Sequence, residues 1–340
     1  MEYLWLIAGF ALLVVGADIF VEGSSALAKI FKIPTIIIGL TIVAFGTSLP
    51  EASVSVSAAI AGQNGIAISN VLGSNIFNLL VVLGASALIK PVCCQKDSVK
   101  KEIPFSILCT FALLGALLLS TGTAINAEGV EYTTYTLGRI GGLVLVALFA
   151  FYMYWQISAA LKARKNGTIE EETDDGKKIS VWKSLIFIVV GIAAIILGGN
   201  WVVNGATSIA YKFGMSETLV GMTIVAVGTS LPELVTAITA LMKGHGALSL
   251  GNIIGANIFN LVLVSGAAIA INPFKVPAEA TFMGNNASLI FDIPLVFGVM
   301  AVMTLPPLFK GKLYRWQGIA LLGIYAAYCV LQFVVLPNFA

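Results

Sequence analysis

The sequence predicts an all-α membrane protein with ten transmembrane helices arranged as two inverted five-helix repeats. Three observations predict this fold class: the composition, a series of long apolar segments, and an internal repeat. Of the 340 residues, 58% are hydrophobic and only 11% are charged, whereas soluble domains contain about 25% charged residues. The net charge is only +2. This composition excludes a soluble globular protein, and the weak net charge argues against a partner that is a nucleic acid.

Long apolar segments account for most of the chain. A helix needs about 20 apolar residues to cross the hydrocarbon core of a bilayer, and ten segments of this kind can be delimited. They cover residues 4–28, 35–60, 66–89, 103–121, 138–161, 184–210, 217–242, 247–270, 288–308 and 316–336. We interpret the first of them as a membrane helix, because its apolar run is too long for a cleaved signal peptide.

The distribution of Lys and Arg predicts the orientation. If the N-terminus lies outside, 16 of the 19 basic residues fall in inner loops, and only Arg139, Lys212 and Lys275 lie outside. Basic residues are enriched in cytoplasmic loops of membrane proteins. We therefore expect both termini outside, the lipid bilayer as the main partner, and a prokaryotic plasma membrane as the location.

A polar tract at 161–183 divides the chain. It contains six basic and five acidic residues in 23 positions, a composition that cannot form a buried core. We predict a solvated cytoplasmic linker between a first five-helix repeat at 1–160 and a second at 184–340.

An internal repeat relates the two halves. GLTIVAFGTSLPE at 39–51 returns as GMTIVAVGTSLPE at 221–233, and GSNIFNL at 73–79 returns as GANIFNL at 255–261. Both are displaced by 182 positions, and 20 of 46 positions are identical between the repeat cores 35–80 and 217–262. Five predicted helices separate the copies, so the second copy enters from the opposite face of the membrane. Inverted repeats of this kind are typical of secondary transporters with a site near the middle of the bilayer.

Glu51 and Glu233 are the acidic residues within apolar segments that the repeat relates. Ionisable groups inside a membrane are costly and mark functional sites. No basic residue in either repeat helix can neutralise these two, so we expect a bound cation to do so. Asp18, Glu22 and Asp292 have no acidic counterpart, and we expect structural roles for them.

A proline precedes each of the two glutamates. Pro50 and Pro232 lack an N–H group and clash with the carbonyl four residues back, which predicts a bend in each helix. Carbonyls near Ala44, Gly46 and Thr47 would then lose their helical partners and line a polar cavity. Carboxylate, hydroxyl and carbonyl oxygens suit hard cations such as Ca²⁺ or Na⁺. The charge of two carboxylates would balance the charge of one Ca²⁺ or of two Na⁺.

The second motif supplies amides. Ser74 and Asn78 lie four residues apart and share one helix face, and Asn260 is the counterpart of Asn78. Amide oxygens can bind a cation or bond between helices. We expect ion binding at Asn78 and Asn260, and helix packing at Asn75 and Asn257.

The two GTSLPE copies, each followed by a GSNIFN-like element, resemble the α-repeats of the cation/Ca²⁺ exchanger superfamily. The Na⁺/Ca²⁺ exchanger branch, which includes K⁺-dependent forms and prokaryotic members, is the more similar. The resemblance implies an antiporter that exchanges Ca²⁺ for Na⁺ by alternating access, with helices one and six as the moving pair, no enzymatic activity and no cofactor. It implies that Glu51 and Glu233 bind both ions and that the carbonyls of Thr47 and Thr229 complete the Ca²⁺ site. It assigns the flanking Na⁺ sites and the central polar pair to Ala44, Ser48, Ser74, Ala226, Ser230, Asn78 and Asn260.

Two positions depart from the family pattern. Members often carry Asp where this chain has Asn260, and Ser where it has Ala256. The first departure removes a carboxylate and the second a hydroxyl, so we expect one monovalent site to be weakened or lost. Coupling to H⁺ is the alternative, since buried carboxylates accept protons readily. K⁺ dependence and the oligomeric state stay open.

Two other classes of function fit the sequence less well. A passive cation channel is usually built from repeated subunits, and the inverted repeat within one chain argues against it. An intramembrane hydrolase would need a paired Asp motif, a Ser–His pair or a metal-binding His cluster. The chain has only one His, which argues against this class.

Overall fold

The structure is a computed structural model that describes most of the chain. The described residues are 2–93, 96–118, 121–125, 131–166, 179–214, 226–276, 281–282, 285–286, 294–295, 298–299 and 311–331. The predicted segment 288–308, with Asp292, lies mostly outside them, as does the first part of the segment 217–242.

Six helices fall in the first half of the chain. They are α1 (Glu2–Phe31), α2 (Thr35–Thr47), α3 (Leu49–Ile60), α4 (Asn64–Phe77, Asn78–Val82 and Leu83–Ile89), α5 (Lys96–Leu118) and α6 (Arg139–Asn166). The middle parts of α2 and α4, Gly39–Val43 and Asn78–Val82, are π-helical.

The described part of the second half repeats much of this order. Its helices are α7 (Val181–Lys212), α8 (Ala226–Thr229), α9 (Leu231–Met242), α10 (Gly246–Ile258, Phe259–Val264 and Ser265–Ile271) and α11 (Arg315–Val330). The middle part of α10, Phe259–Val264, is again π-helical.

Short strands occupy parts of the connections. They are β1 (Val92–Cys93), β2 (Thr121–Ile125), β3 (Glu131–Leu137), β4 (Phe274–Val276), β5 (Thr281–Phe282), β6 (Asn285–Asn286) and β7 (Lys312–Leu313). β3 lies between β2 and β4 in an antiparallel sheet, and β1 pairs with β7. These strands were not expected from the sequence. The Thr- and Tyr-rich composition of β3 is nevertheless typical of strands.

The described residues contain five helices long and apolar enough to cross a membrane, and a sixth span if the bent pair α2 and α3 is counted as one. All six agree with predicted segments. The central polar tract is partly helical at its ends, because α6 continues to Asn166 and α7 begins at Val181. Residues 167–178 of that tract lie outside the described part.

The chain forms two compact units. The first comprises Met1–Pro50 and Tyr152–Ala256, and the second comprises Glu51–Phe151 and Asn257–Ala340. Each unit therefore combines a piece of the first sequence repeat with a piece of the second.

Heptad-spaced glycines pack α1 against α7 in the first unit. Gly9, Gly16 and Gly23 recur every seven residues on α1, and their counterparts 182 positions later recur likewise on α7. A Cβ atom added at Gly9 would lie 2.8 Å from the Gly198 carbonyl oxygen, and one added at Gly198 would lie 2.8 Å from the Gly9 carbonyl oxygen. Since seven residues are close to two helical turns, the glycines form one face on each helix. The backbones of the two helices are therefore in direct contact.

Ion pairs within the first unit involve acidic residues outside the repeat motifs. Lys243 Nζ lies 2.7 Å from Asp18 Oδ1 and 4.0 Å from Glu22 Oε2. Lys212 Nζ lies 2.9 Å from Glu2 Oε2. Asp18 and Glu22 thus have a basic partner, as a structural role requires.

In the second unit, glycines again bring helices together. A Cβ atom at Gly318 on α11 would lie 2.6 Å from the Gly84 carbonyl oxygen on α4. A Cβ atom at Gly142 on α6 would lie 2.7 Å from the Gly266 carbonyl oxygen on α10. Gly84 and Gly266 are related by the repeat, so each copy presents the same small residue to an outer helix.

The helices that follow the two bends end in the same way. Gly62 and Gly244, again 182 positions apart, have φ values of +77° and +85°. The N–H of the next residue bonds to a carbonyl five residues back, from Gln63 to Ala58 and from His245 to Ala240. This left-handed glycine terminus satisfies carbonyls at the helix end, and it fixes the length of the helix that carries each glutamate.

Candidate ion-binding site

The chain bends at the first GTSLPE motif. Helix α2 ends at Thr47, α3 follows after Ser48, and the two axes differ by 49°. Pro50 has no N–H group to bond to the Gly46 carbonyl, which explains the bend. Glu51 lies in the first turn of α3.

The second motif breaks the helix at the equivalent place. Helix α8 is described from Ala226 to its end at Thr229, and Ser230 separates it from α9 with φ −94° and ψ 4°. Glu233 lies in the first turn of α9. The residues just before α8, 215–225, are outside the described part of the chain.

The hydrogen bonding of the Ala44 carbonyl differs from the prediction. It accepts the Ser48 N–H group at 3.1 Å, so it keeps the helical partner that the sequence analysis expected it to lose. The reason is that the backbone stays helical up to Ser48. In the second copy, the Ser230 N–H group donates to the Val227 carbonyl at 3.2 Å, three residues back.

Glu233 is fully buried in the first unit. Its Oε1 accepts a hydrogen bond from the Ser48 hydroxyl at 3.0 Å. Its Oε2 is also buried and has no hydrogen-bond partner among the described residues. A buried carboxylate without a compensating charge is strongly disfavoured, so this oxygen is a favourable position for a cation.

Thr47 is held by a residue that the sequence analysis did not select. Its hydroxyl donates to Oδ1 of Asn252 at 3.0 Å, and both residues are fully buried. The same hydroxyl lies 3.4 Å from the Ala44 carbonyl oxygen, a longer contact. Asn252 is on α10, so the bond connects α10 to the last residue before the bend.

Glu51 is fully buried in the second unit. Its backbone carbonyl accepts a hydrogen bond from Nδ2 of Asn70 at 3.2 Å. The same Nδ2 donates to the Ser55 hydroxyl at 2.9 Å. The α3 segment that carries Glu51 is thereby fixed to α4.

Asn78 and Asn260 lie in π-helical segments of α4 and α10. Both are fully buried, and their side-chain N and O atoms have no hydrogen-bond partner in the described part of the chain. π-helical turns are frequent at functional sites. These amides are therefore available to a ligand.

The neighbouring polar residues are equally buried. Ser74 Oγ and the side-chain N and O atoms of Asn75 and Asn257 have no hydrogen-bond partner among the residues that the structure describes. For Asn75 and Asn257 we expected packing between helices. Their burial agrees with that role, but their amides make no interhelical hydrogen bond within the described ranges.

The structure brings Thr47, Ser48 and Glu233 together in the first unit, and it adds Asn252. In the second unit it adds Asn70 beside Glu51. A sequence signal for both was present: each asparagine is identical between the copies, and each lies four residues before the Ser74 or Ala256 position on the same helix face.

Known proteins resemble this chain over nearly its whole length. CaxA of Alkalimonas amylolytica is 37% identical over 333 residues, which cover 97% of this chain and 98% of that protein. The sodium/calcium exchanger MaX1 of Methanosarcina acetivorans is 29% identical over 362 residues, covering 98% and 99% of the two chains.

A solved structure gives the same result. The sodium-calcium exchanger NCX_Mj, soaked with Na⁺ and Ca²⁺, matches with a TM-score of 0.77 and 30% identity, and the match covers 98% of each chain. This match confirms the predicted fold class, an all-α membrane protein with ten transmembrane helices in two inverted five-helix repeats.

The sequence profile described as "Sodium/calcium exchanger protein" matches residues 1–158 and 183–334. The resemblance inferred from the two motifs is thereby confirmed. The family consists of transporters that act on Ca²⁺ and Na⁺, not of enzymes. The chain belongs to the sodium/calcium exchanger family and is an integral membrane cation/Ca²⁺ antiporter.

Proposed function

We propose that this protein exchanges Ca²⁺ for Na⁺ by alternating access, with Glu51 and Glu233 as the carboxylate ligands of the transported ions. It acts in a prokaryotic plasma membrane, with both termini outside and the polar tract 161–183 in the cytoplasm. A monomer is sufficient for transport, and neither a cofactor nor a nucleic acid takes part.

The main support for this proposal is the environment of the Glu233 carboxylate. The carboxylate is fully buried, one oxygen accepts from the Ser48 hydroxyl, and the other has no hydrogen-bond partner among the described residues. An unpaired charge in such a place costs several kcal/mol. A transported cation removes this cost each time it binds.

The remaining ligands are oxygen atoms of the two motifs. The Thr47 and Thr229 carbonyls complete the Ca²⁺ site, and the buried amides of Asn78 and Asn260 form a central polar pair. The positions proposed for flanking Na⁺ are Ala44, Ser48, Ser74, Ala226 and Ser230. An all-oxygen set of this kind suits Ca²⁺ and Na⁺.

Exchange follows from the same electrostatics. If the carboxylates changed their access while empty, uncompensated charges would pass through a closed, dry state, which is prohibitively costly. The protein therefore changes access only when it is loaded with Ca²⁺ or with monovalent cations. A channel has no such requirement, so saturable counterflow of Ca²⁺ distinguishes the antiporter from a channel that conducts ohmically.

Gradient-driven transport tests the coupling ion. We expect purified protein in liposomes loaded with Na⁺ to take up ⁴⁵Ca²⁺ when external Na⁺ is removed, and a pH gradient at equal Na⁺ to drive no uptake. Liposomes without protein are the control. Uptake that follows the pH gradient but not the Na⁺ gradient would establish H⁺ as the coupling ion instead, and the buried carboxylates would then carry the protons.

The departures at Asn260 and Ala256 give a second test of the monovalent sites. We expect Asn260→Asp to change the number of monovalent ions exchanged per Ca²⁺, because it adds a titratable carboxylate to the central pair. The apparent affinity for Ca²⁺ should change less, since Asn260 is not a proposed Ca²⁺ ligand. Reversal potentials of the exchange current, measured at several Na⁺ gradients, give the stoichiometry.

Ala256→Ser, which adds only a hydroxyl, is the matched comparison. It should affect Na⁺ dependence without introducing sensitivity to pH. An Asn260→Asp variant with wild-type stoichiometry and a weakened Ca²⁺ affinity would contradict the proposed division between monovalent and divalent ligands.

A further inference from the structure

The two asparagines found beside the motifs occupy equivalent positions in the repeat. Asn70 and Asn252 are 182 positions apart, and each lies two helical turns before the central amide at Asn78 or Asn260. Residues spaced by four share a helix face. The polar face of α4 and of α10 therefore extends one turn beyond the residues proposed as ligands.

The two asparagines nevertheless bond differently. Asn70 uses its Nδ2 for the Glu51 carbonyl and for the Ser55 hydroxyl. The position equivalent to Ser55 in the second copy is Ala237, which has no hydroxyl. Asn252 instead accepts from the Thr47 hydroxyl through Oδ1, and its buried Nδ2 has no partner among the described residues.

Helix packing does not explain this exchange of Ser for Ala. In the first copy the Ser55 hydroxyl donates to the Ala67 carbonyl at 3.2 Å. In the second copy the Ser249 hydroxyl, at the position equivalent to Ala67, donates to the Ala237 carbonyl at 2.8 Å. The same contact between helices is made in both copies, with the hydroxyl moved to the opposite helix. What the change alters is the partner available to the neighbouring asparagine.

The Thr47 hydroxyl has three acceptors near it, one of which is the buried Glu233 carboxylate. Oδ1 of Asn252 lies at 3.0 Å and the Ala44 carbonyl oxygen at 3.4 Å. A threonine hydroxyl in a helix commonly bonds back to a carbonyl three or four residues earlier. Without Asn252, the hydroxyl would turn to the Ala44 carbonyl or to the Glu233 carboxylate. Both are proposed ion ligands, so the hydroxyl would compete with the transported ion for one of them.

We propose that Asn252 is a positioning residue, which holds the Thr47 hydroxyl so that the carbonyls of Thr47 and Ala44 stay directed toward the transported ion. This inference rests on the proposed function, since it concerns the ligands of the same ions. Asn252 does not itself touch the ion. It acts through one hydrogen bond from α10 to the bend.

The test compares apparent affinities in Asn252 variants of the full-length protein in liposomes. Asn252→Leu keeps the approximate volume and removes the acceptor, and we expect the Ca²⁺ concentration for half-maximal uptake to rise about 3- to 10-fold, the effect of one buried hydrogen bond. Maximal uptake per folded protein should change little. Asn252→Asp keeps an acceptor for the Thr47 hydroxyl and should restore a half-maximal concentration at or below that of the wild type.

A second variant tests whether the effect passes through Thr47. Thr47→Val keeps the carbonyl and removes the hydroxyl, so it should raise the half-maximal Ca²⁺ concentration as Asn252→Leu does. The double variant should be no worse than either single one, because both remove the same bond. Ser249→Ala is the matched control: it removes a buried hydrogen bond on the same helix, one turn away from Asn252, and should leave the half-maximal concentration unchanged.

The outcomes separate this inference from the proposed function. Wild-type protein that neither transports Ca²⁺ nor is stabilised by it against heat would refute both. Wild-type transport with an unchanged half-maximal concentration in Asn252→Leu would refute the positioning role alone. Additive effects of Asn252→Leu and Thr47→Val, or an equal rise in Ser249→Ala, would show that Asn252 acts on packing instead.

Discussion

Replacing either motif glutamate by glutamine should abolish Ca²⁺ transport while leaving the protein folded. Glu233→Gln keeps the size of the side chain and an oxygen that can accept from the Ser48 hydroxyl, so the local packing can persist. The charge that balances the cation is lost. Removing one partner of a buried charge pair costs about 3–5 kcal/mol, so we expect ⁴⁵Ca²⁺ uptake to fall by about 100-fold or more. The same result is expected for Glu51→Gln.

Thermal unfolding in detergent adds a second measurement that does not depend on transport. Ca²⁺ should raise the unfolding temperature of the wild type, because a ligand that binds only the native state stabilises it. Neither glutamine variant should respond to Ca²⁺. In the absence of divalent and Na⁺ ions, Glu233→Gln should be at least as stable as the wild type, since it no longer buries an uncompensated charge.

Glu22→Gln is the matched control for this pair. Glu22 also lies in an apolar helix, but it is outside the motifs, it is partly exposed, and Lys243 lies 4.0 Å from it. Its replacement should preserve both transport and the stabilisation by Ca²⁺. Strong exchange by Glu51→Gln or Glu233→Gln would contradict the assignment of these carboxylates as ion ligands.

The spans and the bends could be predicted from sequence because their causes are local. Apolar length alone delimits a membrane helix, and a proline removes a helical hydrogen bond wherever it stands. The sequence was less informative about which carbonyls lose their hydrogen bonds at the first bend. The last turn of its helix keeps the α-helical bond from the Ser48 N–H group to the Ala44 carbonyl, and this detail depends on the packing of the surrounding helices.

The π-helical turns at Asn78 and Asn260 were not predicted, because such turns are rare and occur inside α-helices, whose apolar pattern they share. The hydrogen-bond partners of the Asn70 and Asn252 amides could not be predicted either. Asn70 and Asn252 occupy equivalent positions in the repeat, yet they bond differently because Ser55 on the neighbouring helix corresponds to Ala237. The repeat could have indicated that both asparagines belong to the site, but their hydrogen-bond partners are set by tertiary contacts.

The glycine contact between α1 and α7 leads to the second large effect that we expect. A Cβ atom at Gly198 would lie 2.7 Å from the Leu13 backbone nitrogen and 2.8 Å from the Gly9 carbonyl oxygen. These are backbone atoms, which cannot move away by a change of rotamer as side-chain atoms can. Gly198→Ala must therefore move the two helices apart, and overpacking of this kind costs about 1–3 kcal/mol. We expect a lower unfolding temperature and a loss of exchange activity.

Gly199→Ala tests whether this effect comes from the contact and not from the methyl group itself. Gly199 is the next residue on the same helix, and among the described residues a Cβ atom there would meet only Pro232 Cγ, at an ordinary distance of 3.9 Å. Alanine favours a helix over glycine by about 1 kcal/mol, so this variant should be as stable as the wild type or more stable.

The reciprocal variant on α1 tests the same contact from the other helix. Gly9→Ala should reproduce the loss seen in Gly198→Ala, because the two glycines face each other's carbonyl oxygens. Combining them should cost less than the sum, since helices already separated by one methyl group accommodate the second. If α1 and α7 move as one body during exchange, both variants should lower the maximal rate more than the apparent Ca²⁺ affinity. A selective loss of Ca²⁺ affinity at normal stability would show instead that the glycine face acts on the ion site and not on the helix pair.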